Sequence, residues 1–140
     1  MRKGGILSGL FILISIVIFI GCDKTEGLTV YTANPVPPAG GINLFKTNDV
    51  SLKIGQIAYF EHHFSGSVGV LQDFVISNTN VFALKNDFRQ LPESGLVGGS
   101  FHGVFVFEAK QPGTTLFYIF ENFRGVITYQ HTNMITVVEK

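Results

Sequence analysis

The 140-residue chain has one cysteine, no tryptophan and little charge. A lone cysteine excludes an internal disulfide, a zinc ribbon and a CxxC redox pair. Only 14% of residues are charged, ten basic against ten acidic. A formal charge of zero gives no electrostatic reason to bind nucleic acid, and so apolar a composition is not that of a disordered chain. Catalytic signatures are absent too. No HExxH accompanies the four histidines, His62, His63, His102 and His131. Neighbours on a strand face opposite ways, so His62 and His63 cannot share one ion by local geometry. Ser67 and Ser100 stand beside glycines without completing GxSxG, and Gly95 to Gly99 is not followed by the Gly-Lys-Ser/Thr of a phosphate loop. The acids are scattered singly rather than paired for glycosidic chemistry. No enzyme, cofactor or metal is therefore expected; an ion held between strands is the weakest of the open readings.

What is present begins with a leader. Arg2 and Lys3 precede an apolar run from Ile6 to Ile20, broken only by Gly and Ser, and Gly21-Cys22 follows. Basic, apolar, then small is the order of a secretory signal peptide. Phe19-Ile20-Gly21-Cys22 resembles the lipobox of bacterial lipoproteins, with Phe19 where Leu, Val or Ile is usual. The resemblance implies cleavage after residue 21, lipid on Cys22, and a chain held at the bacterial cell envelope, outside the cytoplasmic membrane. The alternative is an uncleaved membrane anchor, since Gly4 to Gly21 approaches the shortest span of a bilayer. After cleavage no polybasic stretch remains for a membrane surface or nucleic acid, which leaves attachment to the lipid.

Residues 22–41 read as the lipidated cysteine and a tether, because Pro35, Pro37, Pro38, Gly40 and Gly41 cluster there. A short strand at Leu28 to Thr32 is allowed. Residues 42–140 read as one all-β domain, since no window keeps a helical stripe and short apolar runs alternate with turn residues. Candidate strands are Ile42–Phe45, Val50–Ile54, Gln56–His63, Gln72–Ser77, Val81–Lys85, Phe101–Ala109, Thr114–Glu121 and Thr128–Val138. Seven or eight strands at this spacing match an immunoglobulin-like sandwich, with a barrel as the rival. Phe101, Phe105 and Phe107 share a face, and Gly103 among them suggests a bulge or bend. Twelve of the fourteen phenylalanines follow Cys22. Burying each is worth about 1.5–3 kcal/mol, enough in sum for a small core without a disulfide.

Three glycine-bearing segments separate the strands: Ser65-Gly66-Ser67-Val68-Gly69, Gly95-Leu96-Val97-Gly98-Gly99 and Asn122-Phe123-Arg124-Gly125. In a seven-strand sandwich they fall on connections that meet at one end. From about Val50 to Val138 the sequence resembles the chagasin family, immunoglobulin-like inhibitors of papain-type cysteine proteases. The resemblance is carried by Val50-Ser51-Leu52-Lys53-Ile54-Gly55-Gln56, by Gly69 at the spacing of the family's first-loop glycine, by Gly98-Gly99, and by Phe105 through Thr115 with its Pro112-Gly113 turn. It implies reversible inhibition without cofactor. The implied contacts are Gly66, Ser67, Val68 and Gly69 in the protease cleft, Leu96, Val97, Gly98 and Gly99 in the second loop, and Phe123 and Arg124 as side anchors.

The chain departs from the family at its binding loops. Ser65-Gly66-Ser67-Val68 replaces Asn-Pro-Thr-Thr, Gln72 replaces a Trp, about two extra residues stand between Gly99 and Phe105, and Phe123-Arg124-Gly125 replaces Arg-Pro-Trp. A papain-type protease is thus the first expected partner, and a non-inhibitory binding or structural lipoprotein of the envelope is the second reading.

Overall fold

A computed structural model describes residues 27–65, 69–91 and 99–139. Among the described residues there are nine strands: β1 (Leu28–Thr32), β2 (Ile42–Asn43), β3 (Asp49–Lys53), β4 (Ile57–Ser65), β5 (Val70–Ile76), β6 (Phe82–Gln90), β7 (Ser100–Ala109), β8 (Gly113–Phe123) and β9 (Val126–Val138). Apart from one 3-10 turn at Leu44–Lys46, no helix occurs among the described residues. Hydrogen bonds run through β1-β6-β7-β4-β5-β8-β9-β3, with β2 added to β4. Between β4 and β5 the register holds for only two pairs, Phe64 with Leu71 and Ser65 with Val70. Beyond that tip the strands diverge and the path folds into two layers, β1-β6-β7-β4-β2 over β5-β8-β9-β3. This is an immunoglobulin-like β-sandwich, as the alternation implied.

The core forms where the inward positions of both layers meet. Ala58 and Phe60 of β4, Phe105 and Phe107 of β7 and Phe82 of β6 face Phe74, Phe117, Ile119, Ile135 and Val137. Phe107 lies at the centre, its ring centroid 4.9 Å from Phe74, 5.3 Å from Phe82 and 5.0 Å from Phe117. Edge-on contacts such as those to Phe74 and Phe117 set the positive rim of one ring against the negative face of the next. Val50 and Leu52 are buried while Ser51 and Lys53 are exposed, the period-2 pattern of a half-buried strand.

Three expectations are corrected locally. Ile42–Phe45 is a strand only to Asn43, whose side chain accepts a hydrogen bond from the Phe45 amide and turns the chain. That turn is fixed from the other layer, where buried Asn133 donates its amide to the carbonyls of Leu44 and Thr47. Gly103 makes no bulge: β7 keeps register through it, opposite His62 on one side and Arg89 on the other. Bulges occur instead in β6 between Leu84 and Asn86 and at the Ile119/Phe120 step of the β8–β9 pairing. Finally, β6 continues to Gln90 rather than ending at Lys85, because the bulge restores the alternation that Lys85 breaks.

The allowed strand at Leu28–Thr32 forms and pairs in parallel with β6. The chain from Thr32 to Ile42 then passes from one edge of its layer to the other. It reaches β4 with Gly41 packed on the Tyr59 ring, and Pro35 is buried on the way. Val104 and Val106 point away from the core, since they alternate with Phe105 and Phe107, yet they are only 1% and 5% exposed. The described part of the segment is held to the domain at β1, at Pro35 and at Gly41.

Candidate functional site at the loop end

Strands β4, β6 and β8 run toward one end of the sandwich, and β5, β7 and β9 run away from it. The roots of the three glycine loops consequently meet. Ser65 pairs with both Val70 and Ser100, Val70 pairs with Phe123, and Phe123 pairs with Val126. Gly69, at the end of the first loop, donates to the Ser65 carbonyl at 3.0 Å in a left-handed conformation, φ 72°. A side chain there would have open space but a strained backbone, so glycine is required by conformation and not by crowding.

The third loop is a two-residue hairpin. Arg124 and Gly125 both have positive φ, 50° and 88°, and the Gly125 amide donates to the Asn122 side chain at 2.9 Å. Positive φ at both central positions matches the right-handed twist of the flanking strands. For arginine the left-handed region costs on the order of 1–2 kcal/mol. The turn sets the Arg124 guanidinium over the Phe123 ring, 5.2 Å from its centroid, and Phe123 stays 39% exposed. Phe123 and Arg124 thus form a joined aromatic and cationic tip.

Of the other residues singled out in the sequence, Gly99 stands at the root of the second loop, just before Ser100 of β7. Gly66, Ser67, Val68, Leu96, Val97, Gly98 and Cys22 lie outside the described residues.

Beneath the loops lies a polar group that the strand reading did not collect. Asp87 and Arg89 of β6 and His62 of β4 all face inward near their strands' ends. Asp87 Oδ2 accepts from Arg89 Nε and Nη2, both at 2.7 Å, and Oδ1 lies 3.5 Å from His62 Nε2. The His62 ring stacks on Phe105 at 4.0 Å. Gly103 makes room for it: a Cβ at that position would fall 2.4 Å from His62 Nε2 and 2.5 Å from the Phe88 carbonyl. Gln72, in the position where the chagasin resemblance expects a Trp, accepts from the His63 amide and donates to Gln130, which donates to Glu121. The roots of the first and third loops are so joined by side-chain hydrogen bonds. The spacing of Asp87 and Arg89 two residues apart was the available signal, masked by the bulge at Lys85.

Burial disfavours the charged form of Asp87, but the facing His62 and Arg89 prevail and hold its carboxyl below the ordinary 3.8. Arg89 is pushed up in return, chiefly by its hydrogen bonds to Asp87. Because folding lowers the Asp87 pKa, its stabilisation is full above about pH 4 and is lost as pH falls through the folded value. In urea titrations the stability gap between the native protein and Asp87→Asn should accordingly narrow from pH 7 to pH 3; a gap unchanged with pH would contradict this role.

The remaining histidines are dispersed. His63 and His102 face each other on the outer surface, and His131 Nε2 lies 2.8 Å from the Thr47 carbonyl, which makes that nitrogen a donor. Among the described residues no group of three or more His, Cys, Asp or Glu side chains is placed to hold a metal.

The sequence matches no protein-family model, and no curated protein is similar to it. Solved structures are similar in fold. The cysteine protease inhibitor EhICP2 from Entamoeba histolytica aligns with a TM-score of 0.50 at 15% identity, over 71% of this chain and 93% of its own. Amebosin aligns at 0.49 and 9% identity, over 81% and 99% of the two chains. PbICP-C, solved in complex with falcipain-2, aligns at 0.38 and 14% identity over 81% and 100%. At the level of fold, the sequence's chagasin resemblance and the EhICP2 structure agree.

Proposed function

We propose that this protein is a membrane-attached, reversible inhibitor of papain-type cysteine proteases, acting by occlusion through three loops at one end of the sandwich. The observation that carries the reading is the meeting of the three loop roots, in the order the resemblance requires. Gly66, Ser67, Val68 and Gly69 enter the cleft, where glycines let backbone approach backbone closely. Leu96, Val97, Gly98 and Gly99 on one side and Phe123 with Arg124 on the other grip the rim. Aromatic and arginine side chains are the usual anchors of such interfaces. The hydrogen-bonded base of Gln72, Gln130 and Glu121 supports pre-organised loops, which lose little entropy on binding. That EhICP2 is itself a cysteine protease inhibitor agrees with this reading. No cofactor or covalent step is involved.

Titration of the folded protein against a papain-like enzyme tests it: stoichiometric loss of protease activity at micromolar protein is expected, and full activity retained would sink the proposal. Attachment through lipid on Cys22 has a separate test. Cys22→Ala should abolish lipid labelling and processing, whereas unchanged labelling would refute the lipoprotein assignment.

One observation favours the second reading, a non-inhibitory binding module of the envelope. The outer face of β5-β8-β9 exposes Leu71, Val75, Leu116, Ile127, Tyr129 and Met134 together, an apolar surface of the kind that marks interaction sites.

A further inference from the structure

The direction of β1 bears on how a domain attached at its N-terminal side is oriented. Its pairing with β6 is parallel, from Leu28 opposite Asn86 to Thr32 opposite Gln90, and the Leu91 amide donates to the Thr32 carbonyl at the root of the second loop. The C-terminal end of β1 therefore lies at the loop end. Going backward along the chain leads the other way: Gly27 sits against Leu84, where a Cβ would come within 2.6 Å of that side chain. At Gly27 the chain thus lies toward the opposite end, which carries the Lys53–Gln56 turn and the Lys110–Pro112 connection.

Both readings of the leader, lipid on Cys22 or an uncleaved anchor, put the membrane attachment N-terminal to Gly27. From Cys22 to Gly27 an extended chain spans at most about 18 Å. The ten-residue β7, which runs the height of the sandwich, measures about 33 Å at the usual strand rise. A link of that length reaches from Gly27 past the far end of the sandwich but falls short of the loop end, which lies about seven strand residues, or about 23 Å, from the level of Gly27.

We infer that the domain is mounted with its loop end pointing away from the membrane, so that its partner is a protein diffusing in the compartment outside that membrane and not one embedded beside it in the bilayer. The inference rests on the membrane attachment and on the loop site proposed above. Mounted this way, the three loops stand about one strand length above the headgroups. A soluble protease can meet them without bilayer contact, while the catalytic cleft of an integral protein close to the same surface would lie below them.

The test is energy transfer from single labels on the full, processed chain in phosphatidylethanolamine/phosphatidylglycerol vesicles carrying an acceptor headgroup dye. Cys22 is the only native cysteine, so once it is lipidated the only free thiol is an introduced one. Gln111→Cys labels the end opposite the loops and Val126→Cys labels the third loop's hairpin. Transfer is expected to be strong from position 111 and weak from 126, with heights differing by on the order of 30 Å. Equal transfer from both, or stronger transfer from 126, overturns the mounting. Flotation of the vesicles is scored in the same samples: a chain that fails to float overturns the attachment and the mounting together, whereas a floated chain with reversed transfer overturns the mounting alone. Protease titration of the same labelled proteins reports separately on the inhibitor reading.

Discussion

Phe107→Ala is expected to destabilise the domain by about 3–5 kcal/mol, a large part of the roughly 5–15 kcal/mol that holds a typical domain together. The ring is fully buried and touches Phe74, Phe82, Phe105 and Phe117, so it joins the two layers at their centre. Truncation leaves a cavity walled by other aromatic rings, which cannot collapse into it without leaving their rotamers. No disulfide supplements this core, because the chain has a single cysteine, Cys22. Phe45→Ala is the control. Phe45 stacks on Phe60 at 6.1 Å but is 51% exposed, and its loss should be within about 1 kcal/mol. Urea unfolding at constant slope measures both. Equal shifts of the two midpoints would show that the layers are not held at Phe107.

The largest functional effect is expected at the first loop. Replacing Ser67 and Val68 together by glutamate should weaken inhibition of a papain-like enzyme at least about 100-fold, roughly 2.7 kcal/mol, because two charges cannot be desolvated in the cleft without partners. For residues that serve the loop and not the core, the unfolding midpoint should scarcely move, by within about 0.5 kcal/mol. Loss of inhibition with retained stability separates the loop mechanism from binding through the apolar face of β5-β8-β9. Inhibition that survived both glutamates would place the contact on that face instead.

How far the site was legible follows from the range of each signal. Phe123 and Arg124 stand out as the only aromatic and cationic neighbours in a glycine turn, and the structure joins them at a hairpin tip. Gly69 was legible by spacing, and its left-handed backbone gives the reason for glycine. At Gly103 the sequence suggests a bulge or a bend, because a glycine in a strand has two meanings and sequence cannot tell a bent backbone from a close neighbour. Here the neighbour is the His62 ring, which comes from another strand. Asp87 and Arg89 were missed because the bulge at Lys85 shifts the alternation and makes the rest of β6 look like a loop.

Sequence alone determined the all-β class, most strand positions, the inward set of phenylalanines and the serial order of the three loops. Each of these depends on period-2 alternation or on turn chemistry, both legible within a few residues. Tertiary structure decided the rest. The β4–β5 divergence makes one hydrogen-bonded path into two layers, antiparallel pairing brings the loop roots together, and the parallel seat of β1 puts Gly27 away from them. The same holds for the burial of Asp87 between His62 and Arg89. These depend on which distant segments meet, and local periodicity carries no record of that.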